Sequence, residues 1–153
     1  MLLKDEVQIP LDRTTVFKAL NDPEILQQSI PGCEALTQTG ENQMEATVVV
    51  KFGPVKASFN SNVEIDPSAG PELFKLKGSG DAGVAGFANG GADVHLQENE
   101  DGTLLSYEVN IDISGKLAQV GSRLIEGTSK RLAKKFFTNF EEALLNPQSD
   151  APA

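Results

Sequence analysis

The chain has 153 residues, enough for one domain whose core needs neither disulfide nor metal. Its formal charge of −9, from 22 acidic and 13 basic residues, excludes a nucleic-acid binder, which must meet phosphates with a basic surface. One cysteine, Cys33, allows no internal disulfide and fits a reducing, cytoplasmic setting. The N-terminus carries Asp5 and Glu6 and no long apolar run, so it is not a signal peptide, and no segment approaches the ~18 apolar residues of a membrane span.

Leu3, Val7 and Ile9 alternate with polar residues up to Pro10, which predicts an N-terminal strand. Asp12 is placed to cap a short helix over 13–20. Asp22 is placed to cap a second, with Pro23 in its first turn, where a missing N–H costs nothing. That helix must end before Pro31.

Alternation then predicts antiparallel strands. Met44, Ala46, Val48 and Val50 form one inward row, and Val55, Ala57, Phe59, Val63 and Ile65 the next, with Gly53-Pro54 turning between them. Phe74 and Leu76, then Val94 and Leu96, point inward from two further strands. After Asp101-Gly102, a hairpin signal, Leu105, Tyr107, Val109, Ile111 and Ile113 share one face.

Beyond Gly115 the period becomes helical. Leu117, Val120, Leu124, Thr128, Leu132, Phe136 and Phe140 predict an amphipathic helix of about 29 residues, roughly 43 Å long at 1.5 Å per residue. Asn146-Pro147 ends it, and residues 147–153 read as a polar tail. The expected architecture is one α+β domain over residues 1–146, with six to seven antiparallel strands curved around the long helix and two short helices after the first strand. A sheet gripping one helix leaves a gap between them as the default ligand site.

Four motifs carry a family resemblance: Asp22-Pro23-Glu24, Ile30-Pro31-Gly32-Cys33-Glu34, Gly53-Pro54-Val55-Lys56 and the run Gly115-Lys116-Leu117-Ala118-Gln119-Val120-Gly121-Ser122-Arg123-Leu124-Ile125. From about Lys4 to Leu145 the chain resembles the G subunit of carbon monoxide dehydrogenase, within the START-like (SRPBCC) helix-grip superfamily. The resemblance implies a helix-grip fold with an apolar cavity. It also implies a partner, a molybdenum hydroxylase of the carbon monoxide dehydrogenase type, and a role in membrane attachment and in passing electrons to quinone. Many such proteins carry an apolar C-terminal anchor; up to Ala153 this sequence shows none, so any membrane contact is expected to be peripheral.

Gly78 to Gly91 holds six glycines, and 78–83 matches a dinucleotide fingerprint as a string. That fingerprint works only between a strand and a helix, and Val84-Ala85-Gly86-Phe87 does not begin a helical pattern. The stretch reads instead as a bulged strand connection or as a mobile lip over the cavity, with Phe87 as its apolar contact. His95 alternates with Val94 and Leu96 and so faces water; one His and one Cys make no ordinary metal site. Cys33 reads as a packed side chain, with no nearby cation to activate it.

The expected ligand contacts are Phe59, Phe74, Phe87, Tyr107, Leu117, Val120, Gly121 and Leu124. Tyr107 either satisfies its hydroxyl within the core or offers it to a ligand carbonyl. Gly121, read as lying inside the helix, hints at a close approach, because glycine there costs up to ~1 kcal/mol. Arg123, Lys130 and Lys134 fall on one stripe opposite the apolar face, a solvated face or a docking surface for an acidic partner or membrane. From Leu117 to Leu145 the net charge is +2, against −11 on the remainder.

The scarcity of inward acid–base groups, with only Tyr107 and Ser61 in view, predicts a non-catalytic protein without a cofactor, holding a quinone- or lipid-like ligand. Two other readings stay open: a START-like cyclase or hydrolase, which needs a buried carboxylate facing inward, and a ligand-free assembly subunit, which needs a filled core.

Overall fold

A computed structural model describes residues 1–146; the polar tail expected over 147–153 lies outside the described residues. The first strand, β1 (Leu2–Ile9), is followed by helices α1 (Arg13–Leu20) and α2 (Pro23–Ser29). Asp12 accepts a hydrogen bond from the Thr15 amide, and Asp22 one from that of Glu24, so both short helices begin on carboxylate caps. Six strands follow as an antiparallel meander: β2 (Cys33–Gly40), β3 (Gln43–Phe52), β4 (Val55–Asp66), β5 (Leu73–Asp81), β6 (Phe87–Asn99) and β7 (Gly102–Ser114). β1 pairs antiparallel with β7, giving the order β1-β7-β6-β5-β4-β3-β2. The long helix α3 (Ser122–Leu145) closes the chain and packs on α2, where the Asn139 side-chain amide donates to the Ser29 carbonyl at 3.2 Å.

Three local expectations differ from the structure. β2 has no counterpart in the alternation pattern, because as an edge strand it leaves only Cys33, Leu36 and Gly40 partly buried. The glycine-rich stretch is not a long connection: Gly78 and Gly80 belong to β5, Gly90 and Gly91 to β6, and only residues 82–86 turn between them. The terminal helix is interrupted. Leu117 and Val120 lie on a 3-10 turn (Lys116–Val120), Gly121 follows at φ +103°, and the α-helix of 24 residues begins only at Ser122. A 3-10 turn repeats every three residues, so it carries the helical spacing across the break.

The buried side chains fall into two clusters rather than one. The larger joins Ile9, Val16, Leu20, Phe74, Leu96, Leu105, Tyr107, Phe137 and Phe140; the smaller joins Val50, Phe52, Ala57, Phe59, Leu117 and Ile125. α3 spans both, contributing Ile125 to one and Phe137 and Phe140 to the other. Twelve residues separate Ile125 from Phe137, about 18 Å along the axis. Between these anchors the helix turns Ser129, Ala133 and the larger Phe136 toward the sheet, with Leu132 against the smaller cluster.

Candidate functional site

The sheet opposite that part of α3 is short of side chains. One inward cross-strand row runs Val63–Gly78–Gly90–Ile111, and the next runs Ser61–Gly80–Ala88–Ile113. Glycine is held at position 90 by close approach, since an added Cβ would sit 2.4 Å from the Asn110 carbonyl oxygen. Where Ser129 and Ala133 face these glycines and alanine, between the aromatic and aliphatic clusters at either end, sheet and helix leave an open void.

The void has two adjoining lobes that share Val63, Leu76, Ala92 and Val109. The first, about 280 Å³, lies toward α2 and is walled by apolar residues including Leu20, Leu26, Met44, Phe74 and Phe137, with Tyr107 the only polar side chain among the described residues that line it. The second, about 300 Å³, lies over the glycine floor between Phe52, Phe59 and Ile113, with Ser61 facing in from β4 and Ser129 from α3. Among the described residues no carboxylate, lysine, arginine or histidine lines either lobe.

Tyr107 is mostly buried and stacks on Phe137, and an aromatic cluster continues through Phe136 and Phe140. Burial pushes the Tyr107 phenol above its ordinary pKa, and the carboxylate of Asp5, its partner across β1 and β7, adds to the effect.

The eight expected contacts divide. Phe59, Phe74 and Tyr107 line the void. Leu117 is fully buried in the smaller cluster, and Val120 packs against that cluster. Leu124 closes over the β3–β4 turn, where a Cβ on Gly53 would come within 2.7 Å of its methyl group. Phe87 is 51% exposed: the register that turns Ala88 inward turns its neighbour out. Gly121 does not mark a close approach, since a Cβ there would meet nothing within 4 Å; its role is the positive φ that joins the 3-10 turn to α3.

Sequence reading missed most of the wall, including Leu20, Met44, Ala92, Ala133, Phe137 and Ser129. Alternation already placed Met44 inward. The small residues carry no hydropathy signal, and Phe137 was hidden beside Phe136.

Arg123, Lys130 and Lys134 are exposed on the outer side of α3, and Lys130 is paired with Glu126 at 2.9 Å. His95 is exposed on the outer face of β6, and the partly buried Cys33 thiol, its pKa raised by burial, donates to the Ala35 carbonyl at 3.4 Å. Among the described residues no cluster of three or more His, Cys, Asp or Glu could hold a metal ion, and no helix is long and apolar enough to cross a membrane.

Solved structures share this architecture. A conserved protein from Geobacillus kaustophilus is 26% identical, with a TM-score of 0.88 over 95% of this chain and 96% of that one. A protein from Thermus thermophilus is 14% identical, with a TM-score of 0.72 over 96% and 99% of the two chains. The Zhui aromatase/cyclase from Streptomyces sp. R1128 is 10% identical, with a TM-score of 0.71 over 95% and 94%. The last two likenesses are of fold alone. Among curated proteins none matches this chain. The sequence makes the assignment: over residues 6–145 the chain matches, and belongs to, the CoxG family, the G subunit of carbon monoxide dehydrogenase.

Proposed function

We propose that this protein is a non-catalytic accessory subunit that carries an apolar, quinone- or lipid-like molecule between its sheet and α3. One observation carries the reading: the first lobe is walled by apolar side chains, with one phenol as the only polar side chain among the described residues that line it. Burying apolar surface there is favourable by ~25 cal/mol per Å², so an apolar guest gains what water cannot. The second lobe adds length for an extended molecule. Catalysis by a cyclase or hydrolase would need a poised acid or base, and among the described residues no carboxylate, imidazole or lysine lines either lobe.

The family's name supplies the partner class. The client is a molybdenum hydroxylase of the carbon monoxide dehydrogenase type, and the exposed Arg123, Lys130 and Lys134 form the face that docks to it or to an anionic membrane surface. Such docking keeps the protein cytoplasmic and at most peripheral at the inner face of the membrane.

The test is native mass spectrometry of the purified protein, organic extraction of whatever is bound, and a repeat after incubation with a prenylated quinone. A second readout is intrinsic fluorescence: the chain has one tyrosine and no tryptophan, so its tyrosine emission arises in the cavity wall. A stoichiometric guest that quenches Tyr107 is expected. No bound species and no uptake would sink the carrier reading and favour a ligand-free assembly subunit.

A further inference from the structure

The second lobe differs from the first in one chemical respect. Two of its inward-facing side chains, Ser61 and Ser129, carry hydroxyls that have no hydrogen-bond partner among the described residues, while Ser79, Asn89 and Asn110 border it from strand positions that alternate with the inward ones. Ser129 is only 8% exposed. A serine within a helix usually returns its hydroxyl to the carbonyl four residues back, as Ser29 does to Ile25 at 2.6 Å. Ser129 makes no such bond and lines the lobe instead. Across the void, a Cβ on Gly80 would lie 3.1 Å from Ser61 Oγ, so that hydroxyl leans over the glycine floor. A hydroxyl that faces such a space without a partner of its own is free to donate to a guest.

We propose that Ser61 and Ser129 form a head-group subsite, that the second lobe holds the hydrogen-bonding end of the ligand, and that this end is uncharged. The inference deepens the carrier reading and rests on it. The sign of the head follows from the lining: among the described residues no lysine, arginine or histidine offers a counter-charge there, so a carboxylate or phosphate gains nothing from these walls to offset whatever hydration it gives up. A carbonyl or hydroxyl oxygen asks only for a donor, and two are present. The four shared wall residues let one molecule occupy both lobes, with its tail among Leu20, Met44 and Phe137. The ligand class is therefore a neutral amphiphile with a ketone-, quinone- or alcohol-like end, rather than a fatty acid or phospholipid.

The probes are decane, decan-2-one and decanoate, bound to wild type, Ser61→Ala, Ser129→Ala and the double variant. Headspace gas chromatography measures the first two and calorimetry at pH 8 the third. Wild type is expected to hold decan-2-one about fivefold more tightly than the double variant does, the size of one neutral hydrogen bond, while decane binds both alike. Decanoate is expected to bind wild type more weakly than the ketone.

Ser129→Ala should also melt no lower than wild type without ligand, since it removes an unmet hydroxyl and raises helix propensity. A lower melting temperature would mean that the hydroxyl is satisfied in the protein, and would overturn its place in the subsite. If decane and ketone both bind and the serine variants discriminate as wild type does, the head lies elsewhere and the subsite falls while the carrier reading stands. If neither probe binds wild type, the carrier reading itself fails.

Discussion

The Tyr107 ring on β7 lies against that of Phe137 on α3, with centroids 5.0 Å apart and planes 22° from parallel. This stack closes the first lobe where the helix meets the sheet, and it couples the larger core cluster to the cavity wall. Phe137→Ala would remove the ring from a wall that already borders a void, so little can collapse into its place. It is expected to destabilise the fold by about 3–5 kcal/mol, with Phe137→Leu costing clearly less. Chemical denaturation of the two variants tests this. Equal losses would mean that the apolar volume leucine restores contributes nothing at this wall, and would contradict the packing described for it.

Tyr107 offers a second, independent probe, because a chain with one tyrosine gives an unambiguous phenol titration at 295 nm. Burial and the Asp5 carboxylate both disfavour the phenolate, so the native midpoint is expected above the usual value of about 10. A phenol whose pKa is raised on folding stabilises the folded state fully below pH ~10 and loses that contribution as pH climbs through the folded value. Asp5→Asn should bring the midpoint part of the way down, since burial is the larger cause. A native midpoint at or below 10 would contradict the placement of the ring.

Much of the frame is legible in the sequence for physical reasons. Asp12 and Asp22 announce their helices because a carboxylate at the N-cap meets amides that nothing else can meet. The period-2 rows of β3, β4 and β7 announce one wet and one dry face. What escapes is whatever lacks a hydropathy pattern. β2 is an edge strand with little to bury, and Gly78, Gly80 and Gly90 shape the cavity floor by the side chains they do not have. Periodicity records where apolar groups are. A cavity is where they are absent, and it becomes visible only when two such stretches face each other across the fold.

Gly121 shows how the same residue can be singled out for the wrong reason. Its backbone, at φ +103° and ψ +144°, lies in a region that side chains with a Cβ rarely enter, and open space surrounds it. Gly121→Ala is therefore expected to cost about 1–3 kcal/mol of stability through backbone strain. Uptake of an apolar probe by the folded variant should match wild type. A folded variant that loses uptake would restore Gly121 as a point of close approach to the ligand.

Ala92 allows the cavity itself to be tested by filling it. It sits between Leu76 and Val109 in a cross-strand row and borders both lobes, so a longer side chain there has empty space to enter. Overpacking a well-filled core typically costs about 1–3 kcal/mol. Ala92→Leu is expected to escape that cost, and to weaken binding of an apolar ligand by about tenfold or more, because the added methyl groups occupy the guest's volume. Ala57→Leu is the matched control. Ala57 is 1% exposed within the smaller core cluster and borders neither lobe, so the same substitution there should show the full overpacking penalty. Thermal unfolding and ligand uptake of the two variants, measured together, separate the outcomes. If Ala92→Leu is destabilised as much as Ala57→Leu, the space between sheet and helix is already filled, and the carrier function has no room in which to operate.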